Sequence, residues 1–221
     1  MSIRISLRWL SMLAPLLASG GCGSLLDSKL AAPQSYVLRL PPRTVEPATT
    51  PPAGSLLLQH PEAGPGLDSD RIALLRSDQR FDFYAASLWA APAPDLVESV
   101  IVDALRTGGA FSAVFDDSAP FAPRYNLRVT LRRFESDYTQ AGLPTVHVVL
   151  DCTLGRHRDR ALLAGFTAQG SAQATEDRVN AVVNAFQSAT ATAVTELERA
   201  VSAAIAQEPR HEQPADPPAA Q

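Results

Sequence analysis

The sequence predicts an α+β fold: a two-layer sandwich with two main helices on one face of a largely antiparallel sheet. Three observations carry this. Residues 125–132, 146–154 and 162–168 alternate apolar and polar side chains, the period of half-buried strands, with polar connections between them. Residues 95–107 and 177–207 instead repeat their apolar residues at helical spacing. A chain of 221 residues, 46% hydrophobic and 19% charged, has enough apolar content for one globular domain of ordinary size.

Taken in order, residues 35–40 read as a first strand, with Tyr36 and Leu38 on one side. Residues 41–54 are rich in proline and threonine and read as a loop or spacer. A second strand is expected at 55–59, followed by a Pro- and Gly-rich loop at 60–68. Residues 71–75 and 81–85 form a hairpin around the polar turn Ser77-Asp78-Gln79.

The first helix spans 95–107. Leu96, Val97, Val100, Ile101, Ala104 and Leu105 make its apolar stripe, Pro92 and Pro94 precede it, and Gly108-Gly109 ends it. A short strand follows at 111–115, then a meander. In its first strand Tyr125, Leu127, Val129 and Leu131 face one way and Asn126, Arg128, Thr130 and Arg132 the other. The last helix, 177–207, has no Pro or Gly and many alanines, which favour a helix and permit close packing. The polar, Pro-rich end of the chain, 207–221, is expected to be a disordered tail.

The N-terminus carries a different pattern. Arg4 and Arg8 precede an apolar run over 9–18, and small residues lead up to Cys22. The run is about half the length of a spanning helix. This three-part arrangement marks a secretory signal, residues 1–21, removed in the mature protein. The cysteine at the cut site resembles the lipobox of bacterial lipoproteins, although Ser19 stands where that pattern has Leu. Acyl chains on Cys22 would attach the chain to a membrane, two or more being enough for stable anchoring. Residues 22–34 would then be a tether and 35–206 the folded domain. Gly23, the second residue of the mature chain, favours the outer membrane over the inner, with the domain facing the periplasm.

With Cys22 acylated, Cys152 has no partner for a disulfide. Its place in the run Val146, Val148, Leu150, Cys152, Leu154 makes it a small buried hydrophobe. The net charge is −4, and more acidic once Arg4 and Arg8 are lost, so neither nucleic acid nor an anionic membrane surface is an electrostatic partner.

No catalytic set is present. There is no G-x-S-x-G elbow and no Gly-rich phosphate loop. Of His60, His147, His157 and His211, the pair His147 and His157 flanks one expected strand with no Cys or His at metal-ligand spacing and His211 lies in the tail, so the histidines read as solvated and no cofactor is expected. Asp116-Asp117 reads as a solvated loop, and Arg128, Arg132 and Arg133 as either a solvated face or a partner-binding stripe.

A series of residues spread over the chain is more specific. It runs through Tyr36-Val37-Leu38, the segment Leu67 to Ile72, Phe83-Tyr84, Trp89-Ala90-Ala91-Pro92, the helix ending in Gly108-Gly109 and Phe111-Ser112-Ala113-Val114. Tyr125-Asn126-Leu127, Phe134-Glu135 and Ala185-Phe186 complete it. Behind a lipoprotein signal, this order resembles the ABC-type transport auxiliary lipoprotein family, over about residues 36–205. One departure is that Leu88, not a basic residue, precedes Trp89.

The resemblance implies a non-enzymatic accessory subunit that works with an ATPase, a permease and an MCE-domain protein. It further implies movement of lipids or other hydrophobic molecules between inner and outer membranes, and a homo-oligomer. Tyr84 and Trp89 are the residues for which a partner-binding role stands beside a core role. An envelope scaffold or assembly lipoprotein, activating another envelope protein, would need the same anchor and fold.

Overall fold

Nine strands and two helices make up the computed structural model, which describes residues 32–41, 52–117 and 122–208. In chain order they are β1 (Gln34–Tyr36), β2 (Ser55–Leu58), β3 (Glu62–Ala63), β4 (Arg71–Leu75), β5 (Phe81–Trp89), α1 (Ala93–Thr107), β6 (Ala113–Phe115), β7 (Tyr125–Asp137), β8 (Thr145–Arg156), β9 (Leu162–Gln173) and α2 (Val179–Ala206). The expected signal peptide, Cys22 and nearly all of the expected tether lie outside the described residues, as do residues 209–221.

The strand β7 organises the sheet. One of its edges pairs with β8 antiparallel over its whole length, and β8 pairs likewise with β9. The other edge is shared by three short strands, all parallel to it. β2 pairs with its start (Leu56 opposite Tyr125), β3 with its middle (Ala63 opposite Leu131) and β4 with its end (Ala73 opposite Glu135). β5 continues the sheet beyond β4, β1 lies beyond β5, and β6 lies beyond β2. The α+β sandwich is therefore as expected, with a mixed sheet: β7–β8, β8–β9 and β4–β5 are antiparallel, and the other pairs are parallel.

Hydrophobic alternation positions the core. The inward side chains of β8 (Val146, Val148, Leu150, Cys152 and Leu154) are all buried. On β7 the core-facing set is Tyr125, Leu127, Val129 and Leu131, then Phe134 and Ser136, with Glu135 between them also buried. The change from odd to even numbers follows from a bulge at Arg132, because Leu131 faces Leu150 and Arg133 faces Val149. One extra residue turns the rest of a strand over. The helices α1 and α2 touch each other, and their buried faces share one core with these strands.

The tightest contact is between α2 and β9. A Cβ built on Gly170 would collide with the backbone oxygen of Ala189 and lie 2.9 Å from the backbone nitrogen of Ala193. Glycine within a strand marks such a close backbone approach. Ala189 and Ala193 complete the small surface, so the helix axis lies directly over the strand.

Several elements differ from the sequence reading. The first strand is shorter and earlier, Gln34–Tyr36, so Gln34 belongs to the sheet rather than to the tether. The loop expected at 60–68 contains β3, which with β2 follows β7 as one interrupted strand. From Leu58 to Glu62 the chain takes four steps while β7 takes three, so the Pro61 region, which lacks one N–H, bulges out. The strand expected at 111–115 begins at Ala113. Glu208, placed in the tail, is fixed: it accepts a 2.6 Å hydrogen bond from the Tyr125 hydroxyl and lies 3.2 Å from Arg156 Nε.

Gly170→Ala is expected to destabilise the fold by about 2 kcal/mol or more, since backbone on both sides must move. Gly165→Ala in the same strand meets open space and should stay within about 0.5 kcal/mol of wild type. Urea unfolding of the two variants compares them directly.

Candidate partner-binding surfaces

Tyr84 and Trp89 lie on one strand and have different fates. Trp89 is only 2% exposed. Its ring lies 5.1 Å from Phe186 of α2 and 5.7 Å from Phe134 of β7, an aromatic cluster at the centre of the core. Its indole Nε1 has no hydrogen-bond partner. This is a packing residue, and the partner-binding alternative does not fit its burial.

Tyr84 is half-buried and its hydroxyl belongs to a chain. It lies 2.9 Å from Ser136 Oγ and 2.8 Å from the Tyr138 hydroxyl, and Tyr138 donates to Asp177 Oδ1 at 2.7 Å. A phenol has one proton to give. Tyr138 gives its own to Asp177, so it accepts from Tyr84, and Tyr84 in turn accepts from Ser136. Burial raises the Tyr84 phenol above its ordinary range, and burial together with these neighbours raises Tyr138 further. Both stay protonated at neutral pH and act as fixed donors.

The chain lines a groove of about 560 Å³ whose outer wall is the β4–β5 turn, with Arg76, Asp78 and Arg80. The turn closes with Arg76 accepting from the Gln79 amide at 2.9 Å, and Gln79 has φ of 65°. β5 bulges beside the groove. Arg71 pairs with Leu88 and Ala73 with Phe83, so β5 has extra residues here, among them Ala86 at φ 49°.

A second concavity, which the sequence reading missed, surrounds His60. The imidazole Nδ1 lies 2.6 Å from Glu98 Oε2, and Nε2 lies 3.7 Å from Asp95 Oδ1. The His60 amide donates to Asp117 Oδ2 at 3.0 Å. Asp103, Asp116 and Arg106 also line this pocket. The signal was present but divided: Asp95 and Glu98 are three apart on one helix face, while His60 and Asp117 come from distant loops.

One imidazole and two carboxylates within 4.8 Å of one another are a donor set a divalent cation can use. The short His60–Glu98 bond already satisfies that pair without an ion. That bond is the main cause of a raised His60 pKa, partly opposed by burial and reinforced by the charges of Asp95 and Asp117.

The other sequence candidates are structural. Arg132 pairs with Asp151 at 3.1 Å, Arg133 with Glu135 at 2.6 Å and with Asp137 at 3.2 Å, and Arg128 donates to Gln59. Arg132 and Arg133 are therefore paired with carboxylates and Arg128 is tied to a neutral amide, so the three do not form a free basic stripe. Cys152 is buried, and burial pushes its thiol up to about 12, so it is an inert hydrophobe. His147 lies 3.8 Å from Asp137, and His157 lies 3.2 Å from Asn126 Nδ2.

A third surface lies where the chain enters the domain. Val37 to Pro41 and the Leu96, Val100 and Ala104 side of α1 enclose a groove of about 640 Å³, with Val37 45% exposed.

The family model for the ABC-type transport auxiliary lipoprotein component matches residues 36–198. The chain belongs to this family. The match starts within β1 and ends in the last turns of α2, so all the surfaces above fall inside the family domain.

A crystal structure of a DUF330-family protein from Xanthomonas campestris superposes with a TM-score of 0.70 at 28% identity, covering 79% of this chain and 97% of that one. A crystal structure of an uncharacterized protein superposes at 0.60 with 16% identity, covering 77% and 99%, a likeness of fold alone. No curated protein gives a significant sequence match. Among the described residues of this family member, no helix is long and apolar enough to cross a membrane.

Two outcomes are expected. Trp89→Ala should cost about 3–5 kcal/mol in denaturant unfolding. Trp89→Phe should cost clearly less, because the indole N–H makes no bond to lose. For His60, the raised folded pKa means that its contribution to stability is complete below about pH 6.5 and is lost as pH rises through the folded value. The melting temperature of wild type should therefore fall over that window relative to His60→Gln, whose profile should be flatter.

Proposed function

We propose that the protein is a lipid-anchored, non-enzymatic accessory subunit of an ABC-type transport system. In this reading it is held by acyl chains on Cys22 at the outer membrane, facing the periplasm. It works with the permease, the ATPase and an MCE-domain protein to move lipids or other hydrophobic molecules between the inner and outer membranes. The observation that carries the reading is the family match over 36–198 directly behind a signal that ends in Cys22.

The chemistry of the domain supports it. Its polar groups include tyrosine hydroxyls kept protonated and the arginines Arg132 and Arg133 paired with carboxylates, arrangements suited to holding a surface in shape. The three concavities are open grooves, suited to contacts with other subunits. The short tether keeps the apolar groove at Val37–Leu40 close to the lipid surface, since residues 23–33 span at most about 35–40 Å when extended. Self-association belongs to the same proposal.

The test is affinity purification of the full-length chain from detergent-solubilised envelopes. Permease, ATPase and an MCE-domain protein are expected in the eluate, and light scattering should give a mass of several protomers. Recovery of permease and ATPase without an MCE-domain protein removes the lipid-exchange part. Recovery of none removes the transport reading. Cys22→Ala should leave the chain uncleaved at that site and unlipidated, shifting its mass and losing labelling by a radioactive fatty acid. Unchanged labelling would overturn the anchor.

A further inference from the structure

The outermost long strand, β9, pairs with β8 and, among the described residues, with no other strand. The Gln169 amide fixes the direction of its backbone groups. It donates to Glu196 Oε2 of α2 at 2.7 Å and so points away from β8. In an antiparallel pair, alternate residues send both N–H and C=O the same way. Gly165, Thr167, Gln169, Ser171 and Gln173 therefore face outward, while the residues between them bond to β8. Glu196 occupies one outward amide. The others form a ladder of donors and acceptors about 6.8 Å apart.

Protein edges are normally blunted by short length, charge or proline. The other strands with a single partner, β1, β3 and β6, are only two or three residues long. β9 is 12 residues long and has no charged residue and no proline. Its register shift is confined to its first turn, opposite Gly155, so residues 164–173 are regular. The five outward residues are all exposed and small or uncharged. An edge in this state is complementary to one thing, another extended backbone without charges on the facing positions.

Gly170 decides against a symmetric pairing of β9 with the β9 of a second copy. Two β9 strands paired about a two-fold axis would lie about 4.8 Å apart. Both α2 helices would stand on the same face, each directly over its own strand because of the Gly170–Ala189 contact. Packed helices need about 8–10 Å between axes. The occupant must carry no helix on that face.

We propose that β9 is a docking edge for an uncharged extended segment of another protein, added to the sheet as a further strand. That the segment comes from a subunit of the transport system rests on the reading above; the edge itself does not.

The test places a photoreactive phenylalanine analogue at Thr167 or Ser171 of the full-length, lipidated chain, irradiates the living cells and maps the adducts by mass spectrometry. Both positions should capture one other protein, at sites four residues apart or nearly so on a single segment. Thr167→Pro removes an outward N–H and leaves the β8 ladder intact, so with the probe at Ser171 it should lower adduct yield at least tenfold. Thr167→Ala should retain it.

Adducts joining two copies, no adduct at either position, or undiminished capture by a folded Thr167→Pro variant would overturn the docking edge. Capture of a segment from a protein outside any ABC system keeps the edge and overturns the transport reading. Co-purification of permease and ATPase without capture does the reverse.

Discussion

The hydrogen-bond requirement of β7 shapes this molecule. A 13-residue strand in the middle of a core must pair its backbone groups on both sides, because each unpaired buried group costs on the order of 1–3 kcal/mol. One side is met by the neighbour in sequence, β8, through a short connection. No single segment meets the other side. Three pieces of the N-terminal third share it: Leu56–Leu58 at one end, Glu62–Ala63 in the middle and Ala73–Leu75 at the other end. The His60–Pro61 bulge and the path from β3 to β4 follow from fitting an irregular chain to a regular edge. The pocket around His60 exists because that bulge carries the imidazole to the start of α1.

The second constraint is the seat of α2. Gly170, Ala189 and Ala193 let helix and strand backbones meet, and this brings Phe186 to Trp89 and Phe134. The same closeness has a consequence at the surface. With the helix directly over β9, the edge of the sheet beyond it has no room for a second helix, and Glu196 reaches down to one edge amide. Core packing and the character of the outer edge are therefore one feature seen from two sides.

Much of the fold was legible in the sequence, for identifiable reasons. The helices declared themselves by 3.6-residue spacing and by the prolines and glycines around residues 93–107. The meander declared itself by alternation. Of the short strands along β7, β2 and β4 were legible at 55–59 and 71–75, but β3 was not, because two residues carry too few side chains to show a period, and nothing local shows that all three run parallel to β7. The Arg132 bulge was hidden for a related reason: Arg132-Arg133 reads as surface on either phase, and only Phe134 and Ser136 reveal that the buried face has changed. Of the two candidate aromatics, sequence left both roles open, and burial assigned Trp89 to the core while leaving Tyr84 on a groove wall.

The sequence by itself determined the kind of protein this is. The signal pattern ending in Cys22, the amphipathic periods and the ordered family residues are local properties of the chain, and each can be read without knowing what touches what. Tertiary structure decided which residues share a site. His60, Asp95, Glu98 and Asp117 meet, Ser136, Tyr84, Tyr138 and Asp177 form a directed hydrogen-bond chain, and β9 is left as an edge among the described residues. These are outcomes of strand order and bulges, set by long-range backbone pairing, and no window along the sequence contains both partners of such a pair.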